Sequence, residues 1–296
     1  MNSFQIKVPA SSANIGAGFD SMGMAVNRYL TLNVETSDKW TFNHQSKHLP
    51  VIDQYEEQYI YQVAHQIATK YKKKLHPHQV NVTSTIPLAR GLGSSAAAVI
   101  AGIELANEIC ELHLTEDDKL RLATEIEGHP DNVAPALLGG LVVSSKTSHE
   151  EIHYIKLQEL MLDIVLYIPN VELKTEEARN VLPTSYERDV ATSASGISNI
   201  MVAALIDKQY ELAGKMMESD LFHEPYRKQL IPNYGFIKKR AKELGAYSTV
   251  ISGAGPTLIS FVPKGEGSNV ASQLLKEIPT YDVRAMKIDT DGLTLQ

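Results

Sequence analysis

Between an alternating strand-like run and a long apolar helix, the chain passes through Pro87-Leu88-Ala89-Arg90-Gly91-Leu92-Gly93-Ser94-Ser95-Ala96-Ala97, and no other stretch limits its fold and use as strongly. Ile86 and Pro87 close the preceding segment. Gly91 and Gly93 permit backbone conformations and close approaches that a Cβ would block. Ser94, Ser95 and the alanines then open a helix whose first turn has unpaired N–H groups, with the positive end of the helix dipole behind them. A polyphosphate satisfies both at once, so Pro87 to Ala97 is the expected phosphate-binding segment.

Two common nucleotide folds can be weighed against this loop. Gly91, Gly93 and Ala96 overlap the dinucleotide fingerprint G-x-G-x-x-A, which requires a second parallel strand after the helix, ending in an acidic residue. Thr115 to Glu127 reads instead as another helix opened by a Thr115-x-x-Asp118 cap, which disfavours a dehydrogenase. The lysine-containing loop G-x-x-x-x-G-K-[ST] is absent. Backbone N–H groups and serine hydroxyls must therefore hold the phosphates, with a metal ion and a basic group from elsewhere.

With 296 residues, two packed domains are the default, and the polar stretch Lys146 to Glu151 is the best boundary candidate in the pattern. A formal charge of −7 argues against a nucleic-acid partner, which favours a basic face. Cys110 is the single cysteine and sits in an apolar helix, so no intramolecular disulfide is expected. The first residues lack a signal-peptide pattern, and no run of 18 apolar residues occurs, so the expectation is a cytoplasmic protein without a membrane partner.

Periodicity orders the rest. Strands are expected at Phe4 to Pro9, Leu30 to Thr36, Gln79 to Ile86, Leu162 to Ile168, Val250-Ile251, Leu258 to Val262 and Asp282 to Ile288. Helices are expected at Tyr59 to Tyr71, Ala96 to Glu111, Thr115 to Ile126, Glu176 to Val181, Ile197 to Lys208, Phe236 to Leu244 and Val270 to Glu277. Two further loops carry polar residues among small ones: Ala10 to Asp20, with Asn14 and Asp20, and Ser252-Gly253-Ala254-Gly255-Pro256-Thr257. A third polar constellation is Glu125-Ile126-Glu127-Gly128-His129-Pro130-Asp131-Asn132.

Pro9 to Asp20, Pro87 to Ala97 and Ser252 to Thr257, in that order and spacing, resemble the three motifs of the GHMP kinases. Within that superfamily, Lys7 to Asp20 and Glu127 to Pro135 are similar to the homoserine kinases. The resemblance covers essentially the whole chain. It implies an α+β, two-domain fold: an N-terminal nucleotide-binding domain over 1–157, like the second domain of ribosomal protein S5, and a ferredoxin-like C-terminal domain over 158–296. It also implies ATP-dependent phosphorylation of L-homoserine to O-phospho-L-homoserine, on the route to threonine. Another small alcohol such as mevalonate or shikimate, or a catalytically silent metabolite sensor, stands as the alternative. A homodimer is a family-level expectation.

Roles follow from the resemblance, position by position. Pro87 to Ala97 would bind ATP. Ser95 and a glutamate would hold Mg2+, which takes hard oxygen ligands; Glu125 best matches the family's metal-binding glutamate, and Glu127, two residues away, is the alternative. Asn14, Asp20, His129, Asp131 and Asn132 would surround the substrate ammonium, with Gly253 lining the same side. Arg179 and Arg227 would bind the carboxylate, which a guanidinium can grip through two hydrogen bonds. Asn132 stands where mevalonate-kinase-like members offer a catalytic aspartate, and it cannot accept a proton. Transfer is therefore expected to be direct, with Thr175 orienting the hydroxyl, Arg179 beside it and no dedicated base.

Overall fold

The computed structural model describes residues 3–46, 52, 54–147, 151–157 and 160–296. The first half runs β1 (Ser3–Ala13), β2 (Met22–Thr36), β3 (Thr41–His44), α1 (Tyr59–Lys70), β4 (His78–Ser84), α2 (Ser94–Cys110), α3 (Glu116–Glu127), α4 (Pro130–Leu138), β5 (Leu141–Lys146) and β6 (Ile152–Lys156). The second runs β7 (Leu162–Ile168), α5 (Thr175–Asn180), α6 (Arg188–Ile206), α7 (Tyr210–Met217), α8 (Glu224–Arg227), α9 (Tyr234–Glu243), β8 (Ser248–Ile251), β9 (Leu258–Pro263), α10 (Gly267–Glu277), β10 (Asp282–Met286) and β11 (Thr294–Leu295).

The first sheet is ordered β11-β1-β2-β4-β3, with β5 on the other part of β2 and β6 on β5. Its centre is β2, whose 15 residues reach two neighbours: Leu30 to Thr36 pair with β4, and Met22 to Met24 pair with β5. β1 is longer than periodicity suggests. It continues past Pro9 through a register shift against β2, and Ala10 to Ala13 lie buried as strand rather than opening the expected loop. The alternating pattern fails there because both faces are covered, leaving small side chains on each. The polar stretch 146–151 is also not a junction: β5 pairs with β6 across it, at Lys146 and Ile152, within the first sheet, and residues 148–150 lie outside the described residues. Of the residues flanking the expected 157/158 boundary, 158–159 lie outside the described set.

The helix after the phosphate loop is buried almost all round, from Ala96 to Cys110, as an apolar helix without a polar face must be. Its one buried acid, Glu104, is answered by Lys119 Nζ of α3 at 2.5 Å. α3 begins with the expected cap: Thr115 Oγ1 accepts from the Asp118 amide at 3.1 Å, and the Thr115 amide donates back to the Asp118 carboxylate at 3.2 Å. Gly128 ends it at φ +92, and α4 starts at once with Pro130 in its first position. The Glu127-to-Asn132 segment thus joins two helix ends beside the phosphate loop.

The second sheet is ordered β10-β7-β9-β8, all antiparallel. Counting only these strands, the fourth, first, third and second lie side by side, which is the expected ferredoxin-like arrangement. Both faces are buried. Ile164, Leu166 and Ile168 enter the large core shared with the first sheet, whereas Val165 and Tyr167 enter a smaller one beneath α9 and α10. β11 returns from the end of the chain to pair with β1, so the last residues belong to the first sheet.

Among the described residues, α6 is the one helix long and apolar enough to cross a membrane by length and composition. It begins at Arg188, nine residues before the expected start at Ile197. Thr192, Ser193, Ser195 and Gly196 supply no apolar period there, and their helicity comes from continuity with the turns that pack on α7. On β9, the fully buried Phe261 fills the shared core. Phe261→Ala should therefore cost about 3–5 kcal/mol of unfolding free energy in a urea titration; a loss under about 1 kcal/mol would show that the two sheets do not share a packed core.

Candidate active site

The phosphate loop and the three other polar constellations meet in one cleft. It is lined by Asn14, Asp20, Ala89 to Ala96, Glu127, His129, Asp131, Asn132, Leu173, Thr175, Arg179, Arg227, Gly253 and Ala254. These residues come from both halves of the chain, which explains why no single segment reveals the site.

The loop wall follows from where its carbonyls go. Leu88 O accepts from Arg90, Ala89 O from the Leu173 amide, Gly91 O from the Ser252 hydroxyl at 2.6 Å, Leu92 O from the Ser11 amide and Gly93 O from the Ala97 amide. With the carbonyls committed, the N–H groups are what remain. Among the described residues, none of the amides of residues 91–96 meets a protein acceptor. Ala89, Gly91 and Gly93 have φ of +50, +69 and +64, every second residue positive, and such alternation curves successive N–H groups into an anion nest. Gly93 is also compelled by space, because a Cβ there would stand 2.0 Å from Ser11 Oγ. Arg90 and the expected role separate: its guanidinium reaches Pro169 O and Glu172, turned toward the second half of the chain.

At the loop's helix end, Ser95 Oγ donates to Glu127 Oε1 at 2.6 Å. Two hard oxygen donors side by side at the mouth of an N–H nest fit a divalent cation bound with phosphates. Glu125, the glutamate that the resemblance favours, does not share this position. It pairs with Lys70 Nζ at 2.6 Å and Arg121 at 3.1 Å, and the lysine hydrogen bond holds its carboxyl below the usual value. The cause is helical geometry: two residues along α3 turn a side chain by about 200°.

Opposite the loop stands a chain of charges. Asp131, buried in the first turn of α4, bonds His129 Nδ1 at 3.1 Å; His129 Nε2 lies 2.6 Å from Arg179 Nη2, which also reaches Asp20 Oδ1 at 3.0 Å. Arg227 is fully buried beneath them, with Nε on Ala178 O and Nη1 on Gly253 O. Burial and the nearby Arg179 charge pull its pKa down to about 10, against the raising influence of Asp20, Asp220 and Asp131. It stays a cation at neutral pH. Thr175 opens α5 and lines the same wall.

Two expected substrate contacts are occupied by the protein itself. The Asn14 amide donates to Gly253 O at 2.9 Å and accepts from the Asp20 amide at 3.0 Å, so it shapes the turn that carries Asp20. Gly253 spends its N–H on Ala13 O and its carbonyl on Asn14 and Arg227. Conversely, Ser11, Ser252 and His223 serve the site without having been singled out for it. Ser11 Oγ donates to Asn132 Oδ1 at 2.9 Å and leaves that residue's NH2 group for the cleft. Their sequence signal was position alone: Ser11 and Ser252 inside the two small-residue loops, His223 four residues before Arg227.

Behind the nest, a second, apolar cavity of about 330 Å³ is lined by residues that include Leu30, Tyr59, Ile60, Val82, Ile86, Leu88 and Ala98, and it shares Ala89, Ser94 and Ser95 with the cleft. A ligand with a flat apolar end and a polyanionic tail fits across the two.

His129 gives the cleft a titration signature. Its hydrogen bond to Asp131 raises its pKa, while burial and Arg179 oppose the rise. The Asp131 carboxylate thus favours proton uptake by the imidazole, and a proton taken up at Nε2 displaces the Arg179 Nη2 from which that nitrogen otherwise accepts. The carboxylate's contribution to stability is full below the ordinary histidine value of about 6.5 and fades as pH climbs through the raised one. Asp131→Asn removes the chief cause, so urea unfolding between about pH 6 and 8 should show a flatter pH dependence than the parent chain; parallel curves would contradict the coupling.

Known proteins resemble the chain along its whole length. The GHMP kinase N-terminal domain model matches residues 58–140, and the GHMP kinase C-terminal model matches 201–279. The chain is 50% identical to a homoserine kinase of Oceanobacillus iheyensis, over 100% of both chains. It is 45% identical to a homoserine kinase of Bacillus velezensis, over 99% of this chain and 94% of that one. A crystal structure of homoserine kinase from Cytophaga hutchinsonii superposes with a TM-score of 0.86 at 29% identity, covering 100% of this chain and 98% of the other.

Proposed function

Because the chain belongs to the homoserine kinase family of the GHMP kinases, we propose that this cleft transfers the γ-phosphoryl group of ATP to the side-chain hydroxyl of L-homoserine. The chain is an ATP-dependent phosphotransferase acting on an alcohol, with a two-domain GHMP kinase fold. The observation that carries the residue-level reading is the junction at Ser94 and Ser95. An apolar cavity meets a row of free N–H groups there, and the row faces paired carboxylates and guanidinium groups within one cleft.

The adenine fits the apolar cavity and the phosphates fit the amides of residues 91–96 at the positive end of α2. Ser95 and Glu127 would hold Mg2+, which supplies charge neutralisation on the phosphates. On the other wall, Asp20 and Asp131 suit an ammonium group, while Arg179 and Arg227 suit a carboxylate. Binding of a zwitterion exchanges the Asp20–Arg179 pair for two new pairs of the same kind.

In the transfer, the acceptor oxygen forms a bond to the γ-phosphorus as the bond to the β–γ bridging oxygen breaks. The hydroxyl proton passes to a phosphate oxygen or to solvent. Asn132 has no basic atom and His129 is held between Asp131 and Arg179, so neither serves as base. Thr175 and the Asn132 NH2 orient the acceptor. Phosphoryl transfer gains mainly from alignment and charge stabilisation, which such a wall supplies. A cytoplasmic location and a homodimer belong to the same reading.

An ADP-release assay with Mg2+, ATP and a panel of L-homoserine, mevalonate and shikimate tests it. Turnover should require L-homoserine, and Glu127→Gln should lower kcat/KM by about 100-fold or more, as loss of a transition-state charge contact does, whereas Glu125→Gln stays within about threefold. Turnover of another panel member alone, or the reverse ranking of the two glutamine variants, would overturn the assignment.

A further inference from the structure

His223 is wholly buried, lies outside the cleft lining and touches both halves of the proposed acceptor site. Its Nε2 meets Gly16 O at 2.9 Å, its ring stacks on Phe19 with centroids 5.4 Å apart at 21°, and its Nδ1 faces Arg227 Nη1 at 3.5 Å. Since the carbonyl can only accept, the proton sits on Nε2, and Nδ1 is left to accept from the guanidinium. The Arg227 Cζ is itself 5.5 Å from the centroid of the Phe19 ring.

The turn it grips does not keep its shape unaided. Asn14, Ile15, Gly16 and Asp20 all have positive φ, at +71, +49, +70 and +52. For a β-branched residue such as Ile15, that conformation is costly and persists only where neighbours hold it. Gly16 rests against the Met217 backbone on one side, so close that a Cβ would lie 2.1 Å from the Met217 carbonyl, and its own carbonyl is held by His223. His223 is in turn fixed by Asp220, whose carboxylate accepts from the amides of Phe222, His223 and Glu224.

We propose that His223 is a positioning residue that sets the distance between Asp20 and Arg227, and through it the selectivity for an acceptor carrying both an ammonium and a carboxylate. It touches no reacting atom. The phosphate nest hangs from other contacts, at Ser11, Ser252 and Leu173, so the nucleotide side does not depend on His223. The inference rests on the proposed acceptor.

Steady-state kinetics on His223→Leu, His223→Asn and His223→Gln tests it. Glutamine can extend a donor to where Nε2 stands, whereas asparagine is too short and leucine has none. In the leucine and asparagine variants, KM for L-homoserine should rise about tenfold, the effect of one lost buried hydrogen bond, with KM for ATP within about twofold. The glutamine variant should recover most of the loss. Preference for L-homoserine over 4-hydroxybutyrate, which lacks the ammonium, and over 2-aminobutane-1,4-diol, which lacks the carboxylate, should shrink in parallel. If the leucine variant does not fold, the asparagine and glutamine pair carries the comparison. An unchanged KM for L-homoserine in the asparagine variant, or equal losses for ATP and L-homoserine, would overturn the proposal. No L-homoserine turnover by the parent chain would instead overturn the acceptor reading.

Discussion

The site depends first on where five carbonyl oxygens point. A loop that cradles phosphate must turn its N–H groups outward, and a peptide can do so only if its carbonyls find partners on the other side. Two of those partners are local, the Arg90 guanidinium and the Ala97 amide, and three come from elsewhere in the chain: the Ser11 amide in β1, the Ser252 hydroxyl after β8, and the Leu173 amide before α5. The two sheets are thus tied together by the same contacts that form the nest. Packing and binding are one interaction seen from opposite sides of the loop.

The acceptor wall applies a different principle. Its carboxylates pair with basic side chains of the same wall, Asp20 with the Arg179 guanidinium and Asp131 with the His129 imidazole. Buried charge without a partner is expensive, and a site meant for a zwitterion avoids that cost by carrying both signs itself. Arg227 is the extreme case, a fully buried cation held by the carbonyls of Ala178 and Gly253. Those carbonyls hold its guanidinium in place, which reduces the ordering that binding requires.

Much of this was legible in the chain. The Gly91-x-Gly93 loop before an apolar helix, the Thr115–Asp118 cap and the apolar run Ile164 to Ile168 of β7 each follow from local chemistry, and the structure contains them. The choice between Glu125 and Glu127 was not local. Both lie near the end of one helix, and only the placement of α2 beside it brings Ser95 to the second. Asn14 and Gly253 reveal the same limit, since a polar residue in a small-residue loop looks alike whether it meets a ligand or the backbone that shapes the site. β1 beyond Pro9 and the first half of α6 escaped because burial on both faces, or a run of Ser, Thr and Gly, leaves no apolar period to read.

The central claim is spatial: the N–H groups of residues 91–96 and the Asp20–Arg227 wall place a γ-phosphoryl group against an acceptor hydroxyl. A crystal structure with a non-hydrolysable ATP analogue, Mg2+ and L-homoserine measures this directly. The phosphates should lie on the amides of residues 91–96, with the acceptor oxygen about 3–3.5 Å from the γ-phosphorus and in line with the bridging oxygen. Phosphates bound away from that loop, or an amino acid lying outside the wall formed by Asp20, Asp131, Arg179 and Arg227, would contradict it.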